Sequence, residues 1–166
     1  MLSIAAMLFA ACQTSQSEAP KAEAAPAVDS VAANVKMYAE TWDKVINEGK
    51  LGLLDSVFSP AITVVTLPAN VKGVDSSKAF YANYVTGFTD RKFTVKEIFG
   101  SGDKVFKYWT FQGKHTGLFF GIKPTGKNVN VEGATMATIR GGKIVEEHDF
   151  FDNMEFMQQL GLVPRN

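Results

Sequence analysis

The densest run of groups able to move protons lies toward the carboxyl end of the chain: Glu146, Glu147, His148 and Asp149, with Asp152 close behind. Side chains alternate between the faces of a strand, so Glu147 and Asp149 share a side with Val145 and Phe151, while Glu146 and His148 go with Ile144 and Phe150. Neither side is wholly apolar, and alternation alone leaves open which one meets an interior. A carboxylate facing an apolar interior holds its proton more tightly than one in water. Such a group can take a proton from a carbon beside a carbonyl and return it elsewhere. The same residues would also serve as solvated charges at the rim of a sheet. The other histidine, His115, ends a β-like segment, a position where histidine is more often a hydrogen-bonded structural residue than a catalyst. No Ser-His-Asp order and no metal-ligand spacing stands out. Lys104, Lys107, Lys114, Lys123 and Lys127 read as scattered, solvated charges.

The elements that must position these groups run from helices to strands. Val31, Val35, Tyr38, Trp42, Val45 and Ile46 recur in steps of three and four, predicting a helix that Asp29 or Ser30 caps and Gly49 stops. Leu51, Leu54, Val57 and Phe58 predict a short second helix ended by Ser59-Pro60. Ile62 to Leu67 is β-branched and predicts a strand. A third helix opens at Gly73-Val74-Asp75 and carries Phe80, Tyr84 and Phe88 on one stripe. Long β-like segments follow over Phe93–Phe99, Lys104–His115, Val129–Arg140 and Lys143–Phe151, with turns at Ser101-Gly102-Asp103 and Gly141-Gly142. Asp152-Asn153-Met154-Glu155 resembles a capping box for a last helix to Leu160, with Gly161 as its stop. The order predicts an α+β domain in which a curved antiparallel sheet wraps a long helix, leaving an apolar cone suited to a small molecule. The loop Thr116–Lys127 is placed to cap that cone with Phe119 and Phe120, or to serve as a plain hairpin connection. Trp42 and Trp109 have aromatic neighbours and read as core.

Composition bounds the function. The chain has 166 residues, 46% of them hydrophobic, with 17 basic and 17 acidic side chains. That suits one domain, and the balanced charge argues against nucleic acid as a partner. One cysteine excludes a disulfide framework, and two histidines argue against a histidine-built metal site. Met1 to Ala11 is apolar and too short to span a membrane, and with Cys12 it resembles a bacterial lipoprotein signal whose cysteine is lipidated. Residues 13–28, rich in Ala, Ser, Gln, Glu and Pro, read as a flexible tether. The expected organisation is therefore a signal segment over residues 1–12, a linker over 13–28 and a domain over 29–166, held at the cell envelope by lipid alone.

Several motifs then converge. Phe93-Thr94-Val95, Gly102-Asp103, Trp109-Thr110, Gly113-Lys114-His115-Thr116-Gly117, Gly121-Ile122-Lys123-Pro124-Thr125-Gly126-Lys127, Gly142-Lys143-Ile144-Val145-Glu146-Glu147, Asp149 and Gln158-Gln159-Leu160-Gly161 occur in order. Over Arg91 to Gly161 the chain resembles the SnoaL-like polyketide cyclases, or ester cyclases, of the nuclear transport factor 2-like superfamily. The resemblance implies a cone-shaped barrel, an apolar pocket, frequent pairing as a homodimer, and cofactor-independent aldol-type cyclisation. It places the family's acid/base aspartate on Asp149, turns Glu147 and Asp149 inward, and matches His115 to a histidine before the glycine-rich loop. Trp42, Tyr84, Phe88, Trp109, Thr135 and Glu147 are the residues expected around the pocket. Thr135 and Gly133 stand where a characterised cyclase carries a pocket histidine and glutamine, which removes two groups that would position a polyketide. Three readings follow: an acid/base enzyme acting on an apolar carbonyl compound, an envelope protein that binds an apolar ligand without chemistry, and a dimeric scaffold whose cone is filled by its own side chains.

Overall fold

The computed structural model describes residues 28–164. The proposed signal segment, Cys12 and nearly all of the linker lie outside the described residues. Helix α1 (Val28–Asn47) starts one residue ahead of the caps expected for it, and its buried stripe runs through Tyr38, Trp42, Val45 and Ile46. A 3-10 turn (Leu51–Leu53) leads into α2 (Leu54–Val57), a single turn that stops short of its expected end. Strand β1 (Phe58–Val65) begins earlier than β-branching suggests. Pro60 lies inside it, where pairing with β6 is interrupted between Phe58 and Thr63, so its missing N–H costs no ladder bond there.

After a short β2 (Val71–Lys72), α3 (Val74–Gly87) ends where Phe88 turns extended, so Phe88 starts β3 (Phe88–Ser101) instead of finishing the helix. Strands β4 (Lys104–His115), β5 (Asn128–Arg140) and β6 (Lys143–Phe151) follow, and then α4 (Asn153–Gln159). The Asp152 side chain caps α4 by accepting from the Glu155 N–H at 2.9 Å.

The six strands form one sheet in the order β2-β1-β6-β5-β4-β3, antiparallel except for β1 beside β6. Breaks in register along β3, at Thr89/Lys92 and Val95/Glu97, help to bend the sheet around α1. Val31 and Val35 of α1 reach Gly100 so closely that a Cβ there would lie 2.8 and 2.9 Å from them. The core fills the space between α1, α3 and the concave face, and α4 adds Phe156 and Leu160 at one end. The result is an α+β fold in which one curled six-stranded sheet wraps α1.

Candidate active site

Register builds the site. Across the concave face, Val105, Ala137 and Glu147 form one inner row, Lys107, Thr135 and Asp149 the next, and Trp109, Gly133 and Phe151 a third. A register shift at Thr138/Ile139 resolves the ambiguity of β6. It puts Ile144 inward together with Glu147, so strict alternation, which set Ile144 opposite Glu147, fails at that point. Beyond it, Glu147, Asp149 and Phe151 turn inward and Phe150 outward.

Glu147 is fully buried and accepts three hydrogen bonds: from the Tyr38 hydroxyl at 2.5 Å, the Trp42 indole at 3.0 Å and the Tyr81 hydroxyl at 2.7 Å. Tyr38 and Trp42 lie one turn apart on α1 and Tyr81 is on α3, so one carboxylate ties both helices to the sheet. Burial pushes the Glu147 carboxyl up to about 7, reinforced by Asp149 and opposed by Lys107 and the two tyrosine hydroxyls. Burial and the two carboxylates hold Tyr38 and Tyr81 well above the usual tyrosine range, so both remain donors.

Asp149 lies one row further on. Its Oδ1 accepts from the Thr135 hydroxyl at 2.5 Å, and Thr135 in turn accepts from the Trp109 indole N–H at 2.9 Å. The Tyr81 hydroxyl, committed to Glu147, also stands 3.4 Å from Asp149 Oδ2. Asp149 lines a cavity of about 60 Å³ together with Trp42, Ile46, Tyr81, Tyr84, Phe93, Lys107, Trp109, Phe111, Val131, Phe151 and Phe156. The walls are overwhelmingly apolar. Gly133 makes room for one of them: a Cβ there would lie 2.4 Å from the Trp109 ring.

Lys107 departs from expectation. It is buried, whereas Lys104, Lys114, Lys123 and Lys127 are exposed. Its ammonium lies 4.5 Å from the ring centre of Trp42, 4.8 Å from that of Tyr38 and 5.1 Å from that of Phe93. Burial lowers the amine to about 8, against the pull of Glu147 and Asp149. The signal was present in β4, where Val105, Lys107, Trp109 and Phe111 occupy alternate positions and share a face. Tyr38 lay on the stripe expected for α1, Tyr81 fell outside the Phe80–Tyr84 stripe expected for α3, and nothing local marked either as a donor to a carboxylate.

Of the residues expected around the pocket, Trp42, Tyr84, Trp109 and Asp149 line the cavity, while Thr135 and Glu147 stand behind it. Phe88 packs away from it, against Phe111, Phe119 and Phe156. His115 is buried but does not line the cavity. Its Nδ1 accepts from the Thr125 N–H at 3.2 Å, and its backbone bonds Gly126 and Lys127, closing the base of the 116–127 loop. Phe119 packs into the core beside Tyr84 and Phe88, and Phe120 reaches Phe80. Neither forms the expected lid over this cavity.

The chain's likeness to known proteins agrees with this geometry. The family model for SnoaL-like polyketide cyclases matches residues 34–160, most of the chain. The chain belongs to that family. Among solved structures, TsrD from Streptomyces laurentii is 25% identical with a TM-score of 0.71, covering 79% of this chain and 97% of that one. AclR from Streptomyces galilaeus, named as a candidate hydroxylase, is 25% identical with a TM-score of 0.69, covering 81% and 99%. A protein with a ketosteroid isomerase-like fold from Catenulispora acidiphila is 20% identical with a TM-score of 0.61, covering 78% and 93%. No curated protein sequence matches the chain. The SnoaL-like chain carries no cluster of His, Cys, Asp or Glu able to hold a metal ion among the described residues. No helix among them is long and apolar enough to cross a membrane.

Proposed function

We propose that this SnoaL-like protein is an acid/base enzyme acting on a small apolar carbonyl compound, with Asp149 as the group that removes and returns a proton. The observation that carries the reading is a carboxylate in an apolar cavity wall, oriented through Thr135 by Trp109. Fixing one oxygen leaves the other lone pairs of Asp149 to meet a C–H bond beside a carbonyl, the arrangement that proton transfer at carbon requires. The cavity of about 60 Å³ suits a molecule of a few heavy atoms. Pockets for drug-sized ligands run from roughly 300 Å³ upward. A proton shift or aldol step on a short carbonyl compound therefore fits better than closure of a fused polyketide.

The test is α-hydrogen exchange. Small aldehydes and ketones are incubated with the full chain in D2O and followed by NMR. The expected result is exchange above the buffer rate, falling on the order of a hundredfold or more in Asp149→Asn. Ligand-induced shifts with no exchange would favour the non-catalytic binder instead.

The outer face of the sheet supports a homodimer. Phe99, Phe106, Met136 and His148 form one row across four strands, and Phe150 lies on the next. Phe99 is 58% exposed, Phe150 51% and Met136 40%, an apolar strip of the kind that a second copy of the sheet would cover. Envelope anchoring through Cys12 remains part of the same proposal and rests on the amino-terminal sequence alone.

A further inference from the structure

Lys107 is a buried amine at the cavity that acid/base chemistry by Asp149 does not use. Its ammonium makes no hydrogen bond and no ion pair within 4.0 Å among the described residues, only the approach to three aromatic rings. It shares an inner row with Thr135 and Asp149, one strand from the former and two from the latter. An amine and a carboxylate thus face the same small apolar space. A lysine whose role was only to neutralise charge would be expected to close an ion pair with Glu147 or Asp149. Apolar surroundings are also the setting in which a lysine amine becomes a nucleophile toward carbonyl carbon.

The geometry points to Lys107 as a Schiff-base lysine that captures a small aldehyde or ketone covalently, an inference resting on the carbonyl-substrate reading above. The ammonium first gives a proton to water. The free Nζ pair attacks the carbonyl carbon, a C–N bond forms, and the C=O π pair moves to oxygen, which is protonated. The carbinolamine then loses water as its C–O bond breaks, leaving a protonated imine. Asp149 takes a proton from the α-carbon while the C–H pair moves toward nitrogen, giving an enamine. Protonation of carbon and addition of water reverse the sequence and free the amine. No oxidant or reductant is consumed.

Glu147 and Asp149 from β6 act on the charge of Lys107, and Tyr38 from α1 and Tyr81 and Tyr84 from α3 are the other titratable groups around it. The carboxylates favour the ammonium and burial disfavours it. With the amine at about 8, its neutral fraction at pH 8 exceeds that of an ordinary lysine near 10.4 on the order of a hundredfold.

The test is reductive trapping of the full chain with acetone or propionaldehyde and cyanoborohydride, followed by peptide mapping. The expected result is an alkyl adduct on Lys107 ahead of exposed lysines such as Lys36 and Lys143, with a rate that climbs as pH rises through about 8. Asp149→Asn should still form the adduct. Modification spread over the exposed lysines while Lys107 stays unmodified, in a protein that unfolding makes reactive at Lys107, would overturn the inference. The two proposals fail separately. Exchange without an adduct removes the Schiff base and leaves Asp149 in place, whereas an adduct without exchange removes Asp149 and leaves Lys107.

Discussion

Thr135 donates to Asp149 at 2.5 Å, one row of the sheet away from the buried carboxyl of Glu147. The hydroxyl is also the acceptor for the Trp109 indole at 2.9 Å, and Trp109 occupies the space that Gly133 leaves beside it. The two positions act together: a glycine admits an indole, and a threonine passes its hydrogen bond to the carboxylate.

Thr135→Val keeps the shape and removes the hydroxyl. The buried indole N–H then loses its acceptor, which costs about 1–3 kcal/mol. Urea denaturation should show that loss, and Thr135→Ser should recover most of it. A valine variant as stable as the wild type would mean that Trp109 finds another acceptor.

Gly133→Ala tests the packing directly. A Cβ 2.4 Å from the indole must displace it, since the Phe150 carbonyl at 2.8 Å blocks retreat on the other side. Destabilisation of about 1–3 kcal/mol is expected. A shift in tryptophan emission absent from Trp109→Phe/Gly133→Ala would assign the displacement to Trp109.

Glu147 makes a prediction about pH. A carboxyl whose folded value lies above its unfolded one binds more protons when folded. Its stabilisation is complete below the unfolded value, roughly 4.3, and is lost as pH rises through the folded value. For Glu147 that loss ends near 7. Melting temperatures of wild type relative to Glu147→Gln should therefore fall as pH rises from about 4.3 to about 7. A difference that is flat, or that grows, would show that the carboxyl is not held up by burial.

Phe150→Glu places a charge on the exposed apolar strip without touching the cavity. Sedimentation velocity should find a dimer for the wild type and a monomer for the variant, with the fold intact by circular dichroism. A monomeric wild type would remove the dimer proposal.

Metabolic labelling with palmitate checks the anchor. The full-length chain expressed in a bacterium should incorporate label, and Cys12→Ser should not. Equal labelling of both would remove lipidation at Cys12.

Local sequence determined a great deal here because strands and helices announce themselves by period. The bounds of β4 and β6, the Asp152 cap and the stripe on α1 follow from alternation, a capping pattern and steps of three and four. The family likewise follows from ordered motifs within the second half. What the tertiary structure alone decided is which polar groups meet. Tyr38, Trp42 and Tyr81 converge on Glu147 from 66 or more residues away, and no local pattern encodes a partner at that separation. The phase of β6 depended on a register shift against β5, a property of two strands and not of either sequence. Lys107 shows the same limit. Its alternation placed it on the face of Trp109, but a lysine is ordinarily solvated, and only the closing of three aromatic rings around it made burial possible.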